Sequence, residues 1–175
     1  MVKQDNIILD TSVLIKLNHK LTRIVVAKAL ESLNAGYYIS WTICYEFTRN
    51  ASDHESFIRN YDFLKQFKYL PITLETMKVA TFYYNAIKNL KKVGENKGKP
   101  VFHNLQNFDD ADIIIGATAI QTKAMLMTFN FCDFPVPFFR EEDRFMIGEE
   151  IMYLLKPDIR AFEKAILKIK RGKEK

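Results

Sequence analysis

Three aliphatic residues, Ile7-Ile8-Leu9, run into Asp10 and are followed at once by Thr11 and Ser12. The apolar run predicts a buried β-strand with Asp10 at its carboxyl end, and Thr11 or Ser12 is placed to cap the helix that follows. In open α/β sheets the carboxyl ends of the strands border the ligand crevice. An acid there is a candidate metal ligand or catalytic group. The competing reading, an Asp that only caps a helix, stays open at this point.

Strand-like and helix-like segments alternate along the rest of the chain, which argues for an α/β fold with a parallel sheet and helices on its faces. Leu21 to Asn34 carries Ile24, Ala27, Leu30 and Leu33 at helical spacing, and Ala35-Gly36 gives the stop. Tyr37-Tyr38-Ile39 predicts a second strand, with Ser40 or Thr42 capping the helix through Glu46. Ser56 to Phe67 is a further helix with Phe57, Tyr61, Leu64 and Phe67 on one side. Tyr69 to Thr73 is a third strand, which Pro71 places at an edge or a strand end. Leu74 to Leu90 is helical, residues 91–106 form a mobile basic loop, and Asp109 to Thr122 is a helix with Ile113, Ala117 and Ile120 inward. Ala124 to Met127 is a fourth strand ending at Thr128, and Pro135 to Phe139 is a short fifth at an edge. From about residue 143 to 175 the expectation is a helical extension ending in a basic run.

At 175 residues the chain is expected to be one domain, 1–175, with 48% hydrophobic and 27% charged residues in the balance of a soluble globular protein. A net charge of +5 favours an anionic partner such as nucleic acid. Cys44 and Cys132 form no C-x-x-C pair and fit reduced thiols in a cytoplasmic protein. Lys3, Asp5 and Asp10 interrupt any signal-peptide core, and no apolar run reaches membrane-spanning length, so no membrane association is expected.

Four acids recur in comparable places: Asp10 after strand one, Glu46 in the helix after strand two, Asp112 in the helix entering strand four, and Asp133 just past that strand. A parallel sheet gathers all four at its carboxyl edge. Crowded carboxylates repel one another, so a cation among them is the economical expectation, and hard Mg²⁺ or Mn²⁺ suits oxygen ligands. Asp110 fits a helix dipole role. Asp109 either starts the helix or shares the face of Asp112. The histidines His19, His54 and His103 lack ligand spacing. Cys132 reads as a small buried residue, and Phe57, Phe67, Phe82 and Phe108 as core.

These residues also resemble the PIN-domain ribonucleases, and within them the VapC-type toxins of toxin–antitoxin systems. Ile8-Leu9-Asp10-Thr11-Ser12 is similar to the opening motif, and Trp41-Thr42-Ile43-Cys44-Tyr45-Glu46 carries the second acid. Asp112-Ile113-Ile114-Ile115-Gly116-Ala117-Thr118-Ala119 is similar to the third, and Thr128-x-Asn130-x-x-Asp133-Phe134 to the closing motif. Phe129 stands where the family commonly has a polar or basic residue. The resemblance implies a PIN-like three-layer α/β/α fold with a central parallel sheet of four or five strands. It also implies a Mg²⁺-dependent endoribonuclease whose Asp10, Glu46, Asp112 and Asp133 hold one or two ions. Thr11, Thr128 and Asn130 would then orient the ligands or the substrate. A cognate antitoxin and a homodimer are implied as partners.

Other acid-first families fit less well. A haloacid-dehalogenase-type phosphatase needs a second Asp where Ser12 stands, and a receiver domain needs one after strand three, where Tyr69 to Thr73 has none. Neither glycine-rich nucleotide fingerprint occurs. The remaining alternatives are a PIN fold used as an RNA-binding module and a non-toxin PIN nuclease of RNA processing.

Overall fold

The computed structural model describes residues 6–95 and 109–172. Ile7, Ile8 and Leu9 have no polar face to offer to water, and strand β1 (Asn6–Leu9) accordingly occupies the interior of a sheet with these three residues fully buried. Helices α1 (Thr11–Asn18) and α2 (Arg23–Ser32) lead to β2 (Gly36–Ser40), and α3 (Trp41–Thr48) and α4 (His54–Leu64) lead to β3 (Lys68–Leu70). The long α5 (Leu74–Glu95) and α6 (Asp110–Thr122) precede β4 (Met125–Thr128). A hairpin of β5 (Phe139–Ile147) and β6 (Glu150–Pro157) follows, then α7 (Ile159–Gly172).

The six strands are ordered β3-β2-β1-β4-β6-β5. β3, β2, β1 and β4 are parallel, whereas β6 runs antiparallel to β4 and β5 antiparallel to β6. The chain steps outward from β1 through β2 to β3, then crosses back to add β4 on the other side. Right-handed crossovers therefore send α1–α4 to one face and α5–α6 to the other. The packing agrees: α1 touches α2 and α3, α3 touches α4, and α5 touches α6 and α7. This is the three-layer α/β/α arrangement. The reversal between β1 and β4 is the kind of switch point where α/β sheets bind ligands.

Pro71 follows β3 directly, and β3 is indeed an edge strand. Ser40 caps α3 by accepting from the Ile43 N–H at 3.4 Å. Several expectations are corrected. Among the described residues the sheet has six strands where four or five are expected, and it is mostly parallel, with β6 and β5 antiparallel. The expected helix from about 143 is strand until Pro157, and only residues from Ile159 onward are helical. Thr11 and Ser12 lie inside α1 rather than capping it, because Asp10 takes the cap position. Helix α4 starts at His54, where Asp53 and Ser56 form a reciprocal capping box. On α2, Val26 and Leu30 face the core, and Ile24 is 61% exposed. Asn34, at positive φ, turns the chain after α2 before Gly36 opens β2. Of the expected loop at 91–106, residues 91–95 extend α5, and the remainder lies outside the described residues. The basic end of the chain beyond 172 and Phe108 also lie outside them. Cys132 is exposed, not buried, because the short helical turn Phe131–Asp133 projects it outward. Phe57 is half-exposed and stacks on Tyr61 rather than entering the core. Among the described residues, no helix is long and apolar enough to cross a membrane.

Candidate functional site

The backbone N–H of Asp10 donates to the Met127 carbonyl at 2.9 Å, which carries the β1–β4 pairing one residue past the strand. The carboxylate thus emerges at the switch point. It makes no cap hydrogen bond to α1, so the capping reading does not hold. Instead Oδ2 accepts from Ser12 Oγ at 2.6 Å and from Thr128 Oγ1 at 2.8 Å. A carboxylate only 5% exposed, as this one is, is tolerable when such charge-assisted bonds replace water. Each hydroxyl spends its proton on Asp10 and uses a lone pair on the backbone beyond β4. Ser12 Oγ accepts from the Phe129 N–H at 3.1 Å, and Thr128 Oγ1 from the Asn130 N–H at 2.9 Å. Ser12, expected only as a possible cap, is therefore the link between the first and last motifs. The signal was its place two residues after the acid.

The other acids surround this link. Glu46, half-buried on α3, accepts from Thr11 Oγ1 at 2.7 Å. Burial raises its proton affinity, Thr11 and Arg49 oppose the rise, and Asp10 and Asp109 add to it. Asp112, in the first turn of α6, is pushed up to about 7, first by burial and then by Asp133, Asp10, Glu46 and Asp109. Asp133 is raised by burial and by Asp10, against a hydrogen bond from Asn130. Asp10, Glu46, Asp112 and Asp133 thus share one electrostatic field. Asp109 caps α6 by accepting from the Ala111 N–H at 3.3 Å while contributing to that field. Thr11 Oγ1 donates to Glu46, Thr128 Oγ1 donates to Asp10, and Asn130 donates to Asp133.

Among the described residues, no three His, Cys, Asp or Glu side chains converge closely enough to hold a metal ion. Two of the acids are turned onto hydroxyls: Asp10 onto Ser12 and Thr128, Glu46 onto Thr11. The chemistry of the donor set nevertheless suits a hard divalent ion, for it is carboxylate only, with no thiolate or imidazole. Lys16 Nζ on α1 lies 5.7 Å from the Phe129 ring centroid and pairs with Glu150. Tyr83 on α5 is a further residue that the sequence did not flag. Its side chain is fully buried, and among the described residues its hydroxyl has no hydrogen-bond partner. Burial and then the charges of Asp112 and Asp133 raise its pKa well above the usual tyrosine range.

No family model and no curated protein matches the sequence. Among solved structures, the chain is similar to one in a toxin–antitoxin complex from Klebsiella pneumoniae, with 23% identity and a TM-score of 0.52, over 74% of this chain and 92% of that one. A second similarity is to VapBC2 from Rickettsia felis bound to a DNA fragment from its promoter, with 21% identity and a TM-score of 0.48, over 72% of this chain and 88% of the other. The first of these shows that the fold is shared.

Proposed function

We propose that this chain is a divalent-metal-dependent endoribonuclease, the toxin of a toxin–antitoxin pair. The observation that carries the reading is the grouping of Asp10, Glu46, Asp112 and Asp133 at the switch point, where burial first and then the neighbouring carboxylates raise Asp112 to about 7. That is the electrostatic debt a Mg²⁺ or Mn²⁺ ion would cancel, and the four carboxylates are the residues that would hold it. When bound, such an ion lowers the pKa of water to supply a nucleophile and neutralises charge on a phosphodiester. Asp10 is held by Ser12 and Thr128, and Glu46 by Thr11, so their oxygens start from fixed positions. Asp112, raised to about 7, would hold a cation as its carboxylate. Asn130 steadies Asp133. The Lys16 ammonium beside Phe129, paired with Glu150, is a candidate contact for a substrate phosphate if that pair opens.

The antitoxin is proposed from the shared fold, and a surface for it or for a second copy is offered by Leu21, Ile24, Tyr45 and Phe57, all exposed on the α1–α4 side. Action in the cytoplasm fits the two unpaired cysteines. The test is to incubate the protein with single-stranded RNA and Mg²⁺ or Mn²⁺, with and without chelator. Internal cleavage to 5′-phosphate ends is expected, abolished by chelator and by Asp10→Asn. RNA retention without cleavage at any metal concentration would make the chain a binding module instead, and chelator-resistant cleavage would refute the metal.

A further inference from the structure

A cleft of 280 Å³ that Glu46 helps to line lies among residues of α1, α3 and α4. Its polar lining is Asn18 and His19 at the end of α1, Asn50 just past α3, and Asn60 on α4. Ile15 and Phe47 supply apolar wall. Among the described residues, none of the four polar side chains is committed to a hydrogen bond. No lysine or arginine lines the cleft, so it is not built for a phosphate. Primary amides present a donor and an acceptor side by side, which matches the edge of a nucleobase, and apolar walls match its faces. The volume falls just below the roughly 300–1,000 Å³ usual for small-molecule pockets, which suits a single heterocycle rather than a whole cofactor. Glu46 belongs both to this cleft and to the acid group, so an occupant of the cleft sits beside the chemistry.

We propose that this cleft receives one unpaired base of the RNA next to the scissile phosphate. The consequence is that the substrate is single-stranded at this point, since a base inside a duplex cannot enter a cleft between helices. Asn50 and Asn60 face the base edge and set which base is accepted. The inference rests on the nuclease reading for its substrate.

The test uses the full chain and the double variant Asn50→Ala/Asn60→Ala. On a randomised single-stranded RNA pool with Mn²⁺, the native protein is expected to show a base preference at one position beside the cut. The double variant should lose that preference and raise KM roughly tenfold more than it lowers kcat, as expected for two lost hydrogen bonds. The same RNA in duplex form should be cut poorly. In a second arm, fluorescence anisotropy in chelator compares binding of labelled homopolymeric oligonucleotides, so that the readout needs neither metal nor cleavage. Base-dependent affinity present in the native protein and lost in the variant supports the pocket. An unchanged base preference and KM, equal cleavage of duplex, or affinity that is unaltered by the substitutions would overturn it. A native protein that cleaves nothing refutes the nuclease reading, and the anisotropy arm then decides on the pocket by itself.

Discussion

A carboxyl that keeps its proton up to about pH 7 in the folded chain, but releases it near 3.8 when unfolded, ties stability to pH. Between those values the native state binds more protons than the unfolded one. The contribution of Asp112 therefore falls as pH rises from about 4 to about 7 and stays at its lowest above that. Asp112→Asn removes the charge, so without divalent ions it should raise unfolding free energy by about 1–2 kcal/mol at pH 8, after allowance for partial exposure, and by little at pH 4. Denaturant melts at the two pH values check this, and equal effects at both would contradict it. Ser12→Ala acts the other way. It takes one donor from Asp10 and leaves the Phe129 N–H unpaired, so a loss of about 1–3 kcal/mol is expected. RNA cleavage should fall about 10- to 100-fold, as for other lost supports of metal ligands. A variant of native stability and rate would show that the link is dispensable. Asp10 and Asp112 were legible in the sequence because they adjoin elements of plain hydrophobic pattern, Asp10 after β1 and Asp112 in the first turn of α6. Ser12 and Tyr83 were not, because their roles arise from partners more than 20 residues away in sequence: Phe129 for one and Gly116 for the other.

Helices α5 and α6 meet where Gly116 faces Tyr83. A Cβ at Gly116 would lie 2.7 Å from Tyr83 Cε1, so the glycine is needed for close approach. Gly116→Ala should therefore destabilise the fold by about 1–3 kcal/mol despite the better helix propensity of alanine, measured as a lowered denaturation midpoint. A stabilised variant would show that the Tyr83 ring moves aside freely. Elements with both faces buried, such as β1 and β4, could be read directly from sequence. The β5–β6 hairpin could not. β5 is an edge strand whose Arg140, Glu142 and Asp143 face solvent, and an irregularity between Glu141 and Asp143 breaks its period-two alternation. Its one local signal was Gly148, at φ 65° in the two-residue turn where Ile147 pairs with Glu150. The turn after α2 was placed at Gly36 when Asn34 makes it, because asparagine tolerates the left-handed region nearly as well.

The whole molecule should respond to a divalent ion as a ligand of the native state alone. At an ion concentration 100 times the dissociation constant, about 2.7 kcal/mol of stabilisation is expected. Thermal melts with Mn²⁺ should rise in the native protein and stay flat in Asp112→Asn, with salt held constant. A rise of equal size in both would locate the ion elsewhere. The placement of β4 beside β1 carries a last consequence. The first acid is pinned by a hydroxyl and a carbonyl from Thr128 and Met127, well over half the polypeptide later. During synthesis a fragment that stops short of Met127 lacks both of those restraints and keeps only the Ser12 hydroxyl on Asp10. The Asp10 carboxylate is thus fixed in place only once most of the protein has been made.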